Sequence, residues 1–164
     1  PDAGIIGVFD RSHYEDVLIA RVRGLAPAEE IERRYRAIND FEKRLVDGGT
    51  TLVKCMLHIS AEEQKQRLLA RLDDPTKRWK FNPGDIDERQ HWPEYMRAHE
   101  IALERTNTEH APWLIVPGDR KWFGKLAVAQ VLLETLERLD LDWPPADYDI
   151  EEQEHRLLEE HLDL

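Results

Sequence analysis

A chain of 164 residues, 41% of them hydrophobic, is the size of one ordinary domain and can bury a core, and its 35% charged residues fit salt-rich helix faces. Its formal net charge of −11 excludes a general nucleic-acid binder but not a polyanion held in a local basic groove. No run approaches the roughly 20 apolar residues of a membrane span, the opening Pro1-Asp2-Ala3-Gly4 lacks signal character, and the single cysteine, Cys55, excludes an internal disulfide. The expectation is a cytoplasmic protein in which Cys55 is a small buried hydrophobe.

Gly4-Ile5-Ile6-Gly7-Val8-Phe9-Asp10 is a continuously apolar run ending in an acid, which predicts a strand buried on both faces of a parallel sheet. Gly24-Leu25-Ala26-Pro27 breaks the segment that follows. Ile31, Tyr35, Ile38, Phe41 and Leu45 recur at helical spacing, so a helix is expected from Ala28 to Val46, stopped by Asp47-Gly48-Gly49. Leu52 to Ile59 predicts a second strand, and Ser60, with Glu63 three residues on, caps a helix reaching about Leu72. An irregular basic stretch runs from Asp73 to Pro83, followed by a helix over about Asp85 to Thr106 with an interruption near Pro93. Trp113 to Pro117 predicts a third strand, ending at Gly118-Asp119. A long helix over about Lys121 to Leu139 would turn Phe123, Leu126, Val131, Leu132 and Leu136 to the core; Trp143-Pro144-Pro145 ends it, and Glu151 to Leu162 predicts an acidic terminal helix. This alternation is the signature of an α/β parallel sheet flanked by helices. Three strands are few for such a sheet, and the chain starts almost on one, so further N-terminal strands are expected outside these residues.

Three constellations carry chemistry. An apolar strand that delivers Asp10 at its carboxyl end has the physical form of a Walker B element, because ligands of open α/β sheets bind beyond that edge and a carboxylate there can hold Mg²⁺ against phosphates. Arg11 adds a planar, permanent cation suited to phosphate; the plainer alternative is that Asp10 caps the next helix. Lys77-Arg78-Trp79-Lys80-Phe81 puts three cations within four residues on a Pro-flanked loop, which suits an anion-binding lid or a solvated basic surface. Val116 to Phe123 again ends a strand in an acid, Asp119, and feeds basic residues into a helix entrance, where free N–H groups favour anions; Asp119 as a simple cap is the alternative. The seven histidines show no metal-ligand spacing, and Ser12 lacks a nucleophile elbow.

Taken in order, Phe9-Asp10-Arg11-Ser12-His13-Tyr14-Glu15-Asp16-Val17-Leu18, Lys77 to Phe81, Trp92-Pro93-Glu94-Tyr95, Thr106-Asn107-Thr108 with Ala111-Pro112-Trp113, and Val116 to Phe123 resemble the family-2 polyphosphate kinases. The resemblance covers about residues 4 to 145. It implies a P-loop kinase-like fold, with a helical and loop lid over about 73–97 and an acidic C-terminal helix over about 147–164, in a single partial domain. It implies Mg²⁺-dependent phosphoryl transfer between inorganic polyphosphate and ADP, AMP or ATP by a cytoplasmic homo-oligomer with no nucleic-acid or membrane partner. By position, Asp10 would be the Walker B acid and metal ligand, Arg11 its phosphate-binding neighbour, and Lys77, Arg78 and Lys80 would bind polyphosphate from the lid, with Arg78 and Lys80 catalytic.

Two departures stand beside this. Many family members carry Asn-Arg where this chain has Glu15-Asp16, a form that resembles the branch using AMP as well as ADP. The family's glycine-rich phosphate loop should precede residue 1, and no G-x-x-x-x-G-K-[ST] pattern occurs here. The chain alone is therefore expected to be inactive, supplying Walker B and lid to a larger enzyme. The alternatives are a non-catalytic module that lost its phosphate loop, or another nucleoside monophosphate kinase.

Overall fold

The twenty-residue helix between Pro27 and Gly48 organises the chain because its stripe of Ile31, Tyr35 and Ile38 is long enough to seat two others. The computed structural model describes residues 2–160. In chain order it contains α1 (Glu15–Val22), α2 (Ala28–Asp47), β1 (Lys54–His58), α3 (Ala61–Asp73), a 3-10 turn (Arg78–Lys80), α4 (Gly84–Arg89), α5 (Trp92–Thr106), β2 (Trp113–Pro117), α6 (Lys121–Arg138) and α7 (Ile150–Glu159). It divides into two compact units, Pro1–Ala129 and Gln130–Leu164.

In the first unit α1, α2 and α5 pack on one another around Tyr14, Val17, Ile31, Tyr35, Ile38 and Ala102, with Trp113 of β2 against the cluster. Fully burying one such aliphatic side chain is worth roughly 1.5–3 kcal/mol. Helix α2 stops at Gly48, and the following Gly49 takes φ +88°, a left-handed turn that glycine enters without strain. Ser60 caps α3 by accepting the Glu63 amide at 3.1 Å, as the sequence predicts. The expected break near Pro93 separates α4 from α5, whose first turn accommodates the proline because the N–H it lacks would have no acceptor within the helix there.

β1 and β2 pair in parallel, from Lys54 opposite Trp113 to His58 opposite Pro117, and the crossover between them carries α3, α4 and α5. The expected strand at Gly4–Asp10 does not form. Ile5, Ile6, Val8 and Phe9 are 61–89% exposed in irregular chain. A strand is held by a lateral ladder, and among the described residues no strand pairs with this segment. The helical stripe of α2 also differs from expectation. Phe41 is 42% exposed, and Glu42 takes the inward position. Helix α1 is an addition: eight residues were too few to show a clear period, and packing on α2 and α5 stabilises it.

Helix α6 has its expected span, but Phe123, Leu126, Leu132 and Leu136 are 40–58% exposed rather than core, because nothing among the described residues covers them. In the second unit, α7 is capped by Asp149, which accepts the Glu152 amide at 3.1 Å. The expected end of that helix at Leu162 lies outside the described residues. Cys55 is half-buried, and burial pushes its thiol pKa up, away from reactivity.

Candidate functional site

Asp10 and Arg11 stand at the end of the exposed apolar segment, in a bend that leads through Ser12 into α1. Ser12 closes the turn: its carbonyl accepts the Glu15 amide at 3.1 Å and its hydroxyl accepts the Tyr14 amide at 3.4 Å. Glu15 and Asp16 fall in the first turn of α1, where the helix dipole favours acids. The Arg11 side chain is 83% exposed and lies 4.0 Å from Glu15 Oε1, a surface pair that holds it only weakly.

Directly behind this bend lies a buried polar cluster. Tyr14 Oη donates to Glu42 Oε1 at 2.7 Å, and Lys54 Nζ donates to Glu42 Oε2 at 2.7 Å, to Tyr14 Oη at 3.0 Å and to the Thr106 carbonyl at 2.9 Å. His13 Nε2 sits 3.4 Å from Glu42 Oε1. Glu42 and Lys54 are 2% and 8% exposed, yet the three donors of the ammonium and the acceptors of the carboxylate are all engaged. The Trp113 indole donates to Thr106 Oγ1 at 2.9 Å, and its ring meets that of Tyr14 edge-on at 4.7 Å. Burial alone would raise the Glu42 pKa, but hydrogen bonds from His13, Lys54 and Tyr14 outweigh it and hold the carboxyl below its ordinary value. Burial pulls the Lys54 pKa down against the opposing pull of Glu42, and pushes the Tyr14 hydroxyl up.

Sequence reasoning missed Glu42 and Lys54. Both left a signal: Glu42 follows Ile31, Tyr35 and Ile38 by eleven, seven and four residues, on the apolar face of α2, and Lys54 interrupts the apolar run of β1.

The basic turn is organised by Asp74. Its Oδ1 accepts the Thr76 amide at 2.9 Å and hydroxyl at 2.7 Å, and its Oδ2 pairs with Lys77 Nζ at 2.6 Å. Lys77 and Thr76 together lower the Asp74 pKa to about 2. Arg78 donates through Nε to the Leu72 carbonyl at 2.8 Å, ending α3. Lys80 Nζ lies 5.0 Å from the centre of the Trp79 ring, and that ring is itself 78% exposed. Arg78 and Lys80 thus keep most of their donors toward solvent, whereas Lys77 is committed to Asp74. Among the described residues no hydrogen bond or ion pair joins Asp10 or Arg11 to this turn.

Beside the turn, a cavity of about 480 Å³ is lined by Arg67, Arg71, Arg89, Trp92 and Tyr95, among others. Two of its cations are engaged, Arg67 by Glu63 and the Gly118 carbonyl and Arg89 by the Ala61 carbonyl, while Arg71 makes only a 4.0 Å pair with Asp85. The third constellation is structural in its contacts. The Gly118 amide donates to the His58 carbonyl at 2.7 Å, and Asp119 Oδ1 accepts the Ser60 amide at 2.7 Å, tying the two strand ends together and lowering the Asp119 pKa. A Cβ at 118 would meet Ile59 Cγ2 at 2.9 Å and the His58 carbonyl at 3.2 Å, so a larger residue would force these neighbours to shift. Among the described residues no three His, Cys, Asp or Glu side chains gather into a metal-binding group.

A parallel pair whose helical crossover carries a basic turn, preceded by an apolar run ending in Asp-Arg, defines an α/β protein of the P-loop kinase-like class. The family model described as Polyphosphate kinase 2 (PPK2) matches residues 1–143. The chain belongs to that family. It is 48% identical over 144 residues to the AMP/ADP-polyphosphate phosphotransferase of Meiothermus ruber, a match covering 88% of this chain and 54% of that protein. It is 44% identical over 156 residues to the ADP-polyphosphate phosphotransferase of Rhodopseudomonas palustris, with the same coverage of 88% and 54%. Its fold matches the crystal structure of polyphosphate kinase 2 from Arthrobacter aurescens TC1 with a TM-score of 0.93 at 57% identity, over 98% of this chain and 56% of that one. The chain spans about half the length of the curated relatives it matches.

Proposed function

We propose that this chain provides the metal-side acid and the phosphate-closing turn of an enzyme that moves a phosphoryl group between polyphosphate and AMP or ADP. Membership of the family supports the reaction class, and the names of the Meiothermus and Rhodopseudomonas relatives support the substrates. The observation that carries the site is the exposed Asp10–Arg11 step, set on a turn anchored in the core and otherwise lightly held.

Phosphoryl transfer is mainly positioning and charge neutralisation, so cations and a metal ion are the equipment to look for. The donor set fits Mg²⁺: that ion keeps several waters and takes one or two carboxylates plus substrate phosphates, and Asp10 is one exposed carboxylate. Bound there, Mg²⁺ supplies charge neutralisation on phosphate oxygens. Arg11 offers a planar guanidinium to the same phosphates, and Arg78 and Lys80 close on the chain of phosphates from the turn. Lys77 adds charge only by leaving Asp74. The residues here, lacking a glycine-rich phosphate loop, are inactive by themselves on this reading.

The test is polyphosphate-dependent phosphorylation of AMP and ADP by the full-length gene product. Asp10→Asn is expected to lower kcat by about 10²–10³-fold, the scale seen when one preorganised charge-stabilising group is lost. Arg78→Ala should cost less and raise the KM for polyphosphate. Unchanged turnover in both variants rejects the site, and ATP serving as donor in preference to polyphosphate rejects the substrate.

A further inference from the structure

The geometry points to Tyr14, Glu42 and Lys54 as a positioning clamp that sets where Asp10 and Arg11 stand. This inference rests on the functional reading of Asp10 and Arg11 and adds what holds them. Among the described residues those two side chains make no hydrogen bond and no ion pair firmer than the 4.0 Å one with Glu15, which leaves the backbone that follows to set their placement. Four residues on, that backbone is locked: Tyr14 is 6% exposed, and its hydroxyl both donates to Glu42 and accepts from Lys54. A tether of four residues spans at most about 14 Å, and the Ser12 turn shortens its free play.

The clamp joins four parts of the chain. Tyr14 leads into α1, Glu42 comes from the inner face of α2, Lys54 opens β1, and the Thr106 carbonyl ends α5. Packing alone does not call for charge here, because a buried ion pair is often replaced by apolar residues of similar volume at no loss of stability. What charge adds is direction. Three ammonium donors meet three fixed acceptors, so the start of α1 has one register against α2 and β1, whereas a greasy contact would tolerate sliding. Phosphoryl transfer is sensitive to misplacements of an ångström or less, so a looser α1 start would be felt at Asp10.

The experiment compares the full-length gene product with Tyr14→Phe, which removes one hydroxyl and leaves the ion pair, and with the paired variant Glu42→Gln/Lys54→Met, which removes both charges at similar volume. Turnover of polyphosphate with ADP is read alongside amide hydrogen exchange over residues 9–18 and the melting temperature. The expected result for each variant is a fall in kcat of about 10-fold with the nucleotide KM within about two-fold. Exchange should quicken over residues 14–18, whose amides are bonded to Ser12, His13 and Tyr14, while β1 and α5 stay protected and Tm stays near wild type. Tyr14→Phe decides the case if the paired variant does not fold. Wild-type kcat in a folded Tyr14→Phe, or quickened exchange spread evenly over β1 and α5, overturns the clamp and leaves an ordinary structural cluster. A wild-type protein that phosphorylates no nucleotide overturns the functional reading instead, and the exchange comparison then still decides the clamp.

Discussion

Two lysine–carboxylate pairs of nearly the same length teach opposite lessons. Lys54 and Glu42 meet at 2.7 Å with 8% and 2% of their side chains exposed, and Lys77 and Asp74 meet at 2.6 Å with 58% and 31% exposed. The first pair is desolvated, joined to four parts of the fold and costly to disturb on one side only. The second is a local contact between residues three apart, screened by water and easily exchanged for another anion. Distance is almost equal; surroundings decide what each charge is for. One pair ties distant elements together in the core, and the other is a local pair at the surface.

The largest effect that separates them should come from cutting one partner. Glu42→Ala leaves the Lys54 ammonium buried without its counter-charge and should destabilise the protein by about 3–5 kcal/mol, read as a lowered denaturation midpoint at unchanged m-value. Asp74→Asn should leave the midpoint where it is. A similar loss in both variants would break the contrast.

The next effect is pH dependence. The folded Glu42 pKa lies below its ordinary 4.5, so its contribution is complete above that value and is lost as pH falls through the depressed folded pKa. The Tm gap between wild type and Glu42→Gln should therefore be widest at neutral pH and narrow steadily below about pH 4.5. Asp74, lowered from 3.8 to about 2, acts below about pH 3.8 and, being in contact with water, should move Tm little. A gap that widens on acidification would reverse the assigned direction.

The smallest effect should appear in binding alone. Lys77→Ala frees Asp74 and removes a cation already committed, so it should weaken polyphosphate binding less than Lys80→Ala does, as measured by titration at two salt concentrations. Equal losses would mean that Lys77 leaves Asp74 as readily as Lys80 leaves the Trp79 ring.

Much of the scaffold is legible from local rules. The span of α2, the Ser60 cap with Glu63, the proline break between α4 and α5, and the runs of β1 and β2 each depend on residues within a few positions of one another. What local rules miss depends on distant partners. Gly4–Asp10 has every compositional mark of a buried strand, but a strand also needs a neighbour, and composition does not supply one. The apolar face proposed for α6 fails in the same way, since its leucines lack a covering layer among the described residues. At the site, the sequence marks Asp10, Arg11 and the basic turn by residue type. It conceals that Lys77 is engaged by Asp74 and that Tyr14 closes on Glu42, twenty-eight residues away. A lone charge in an apolar stripe is the legible trace of such a partner, and two of them, Glu42 and Lys54, complete each other.

That pairing also constrains how the protein can change over generations. A single substitution at 42 or 54 strands a charge in the core, so a lineage that loses one must pass through a poorly folded intermediate or change both together. The two positions form one heritable unit. Across the family they are expected to vary in concert, either both ionic or both apolar, and sequences of the second kind should show a compensating change at position 14, whose hydroxyl would have lost both of its partners.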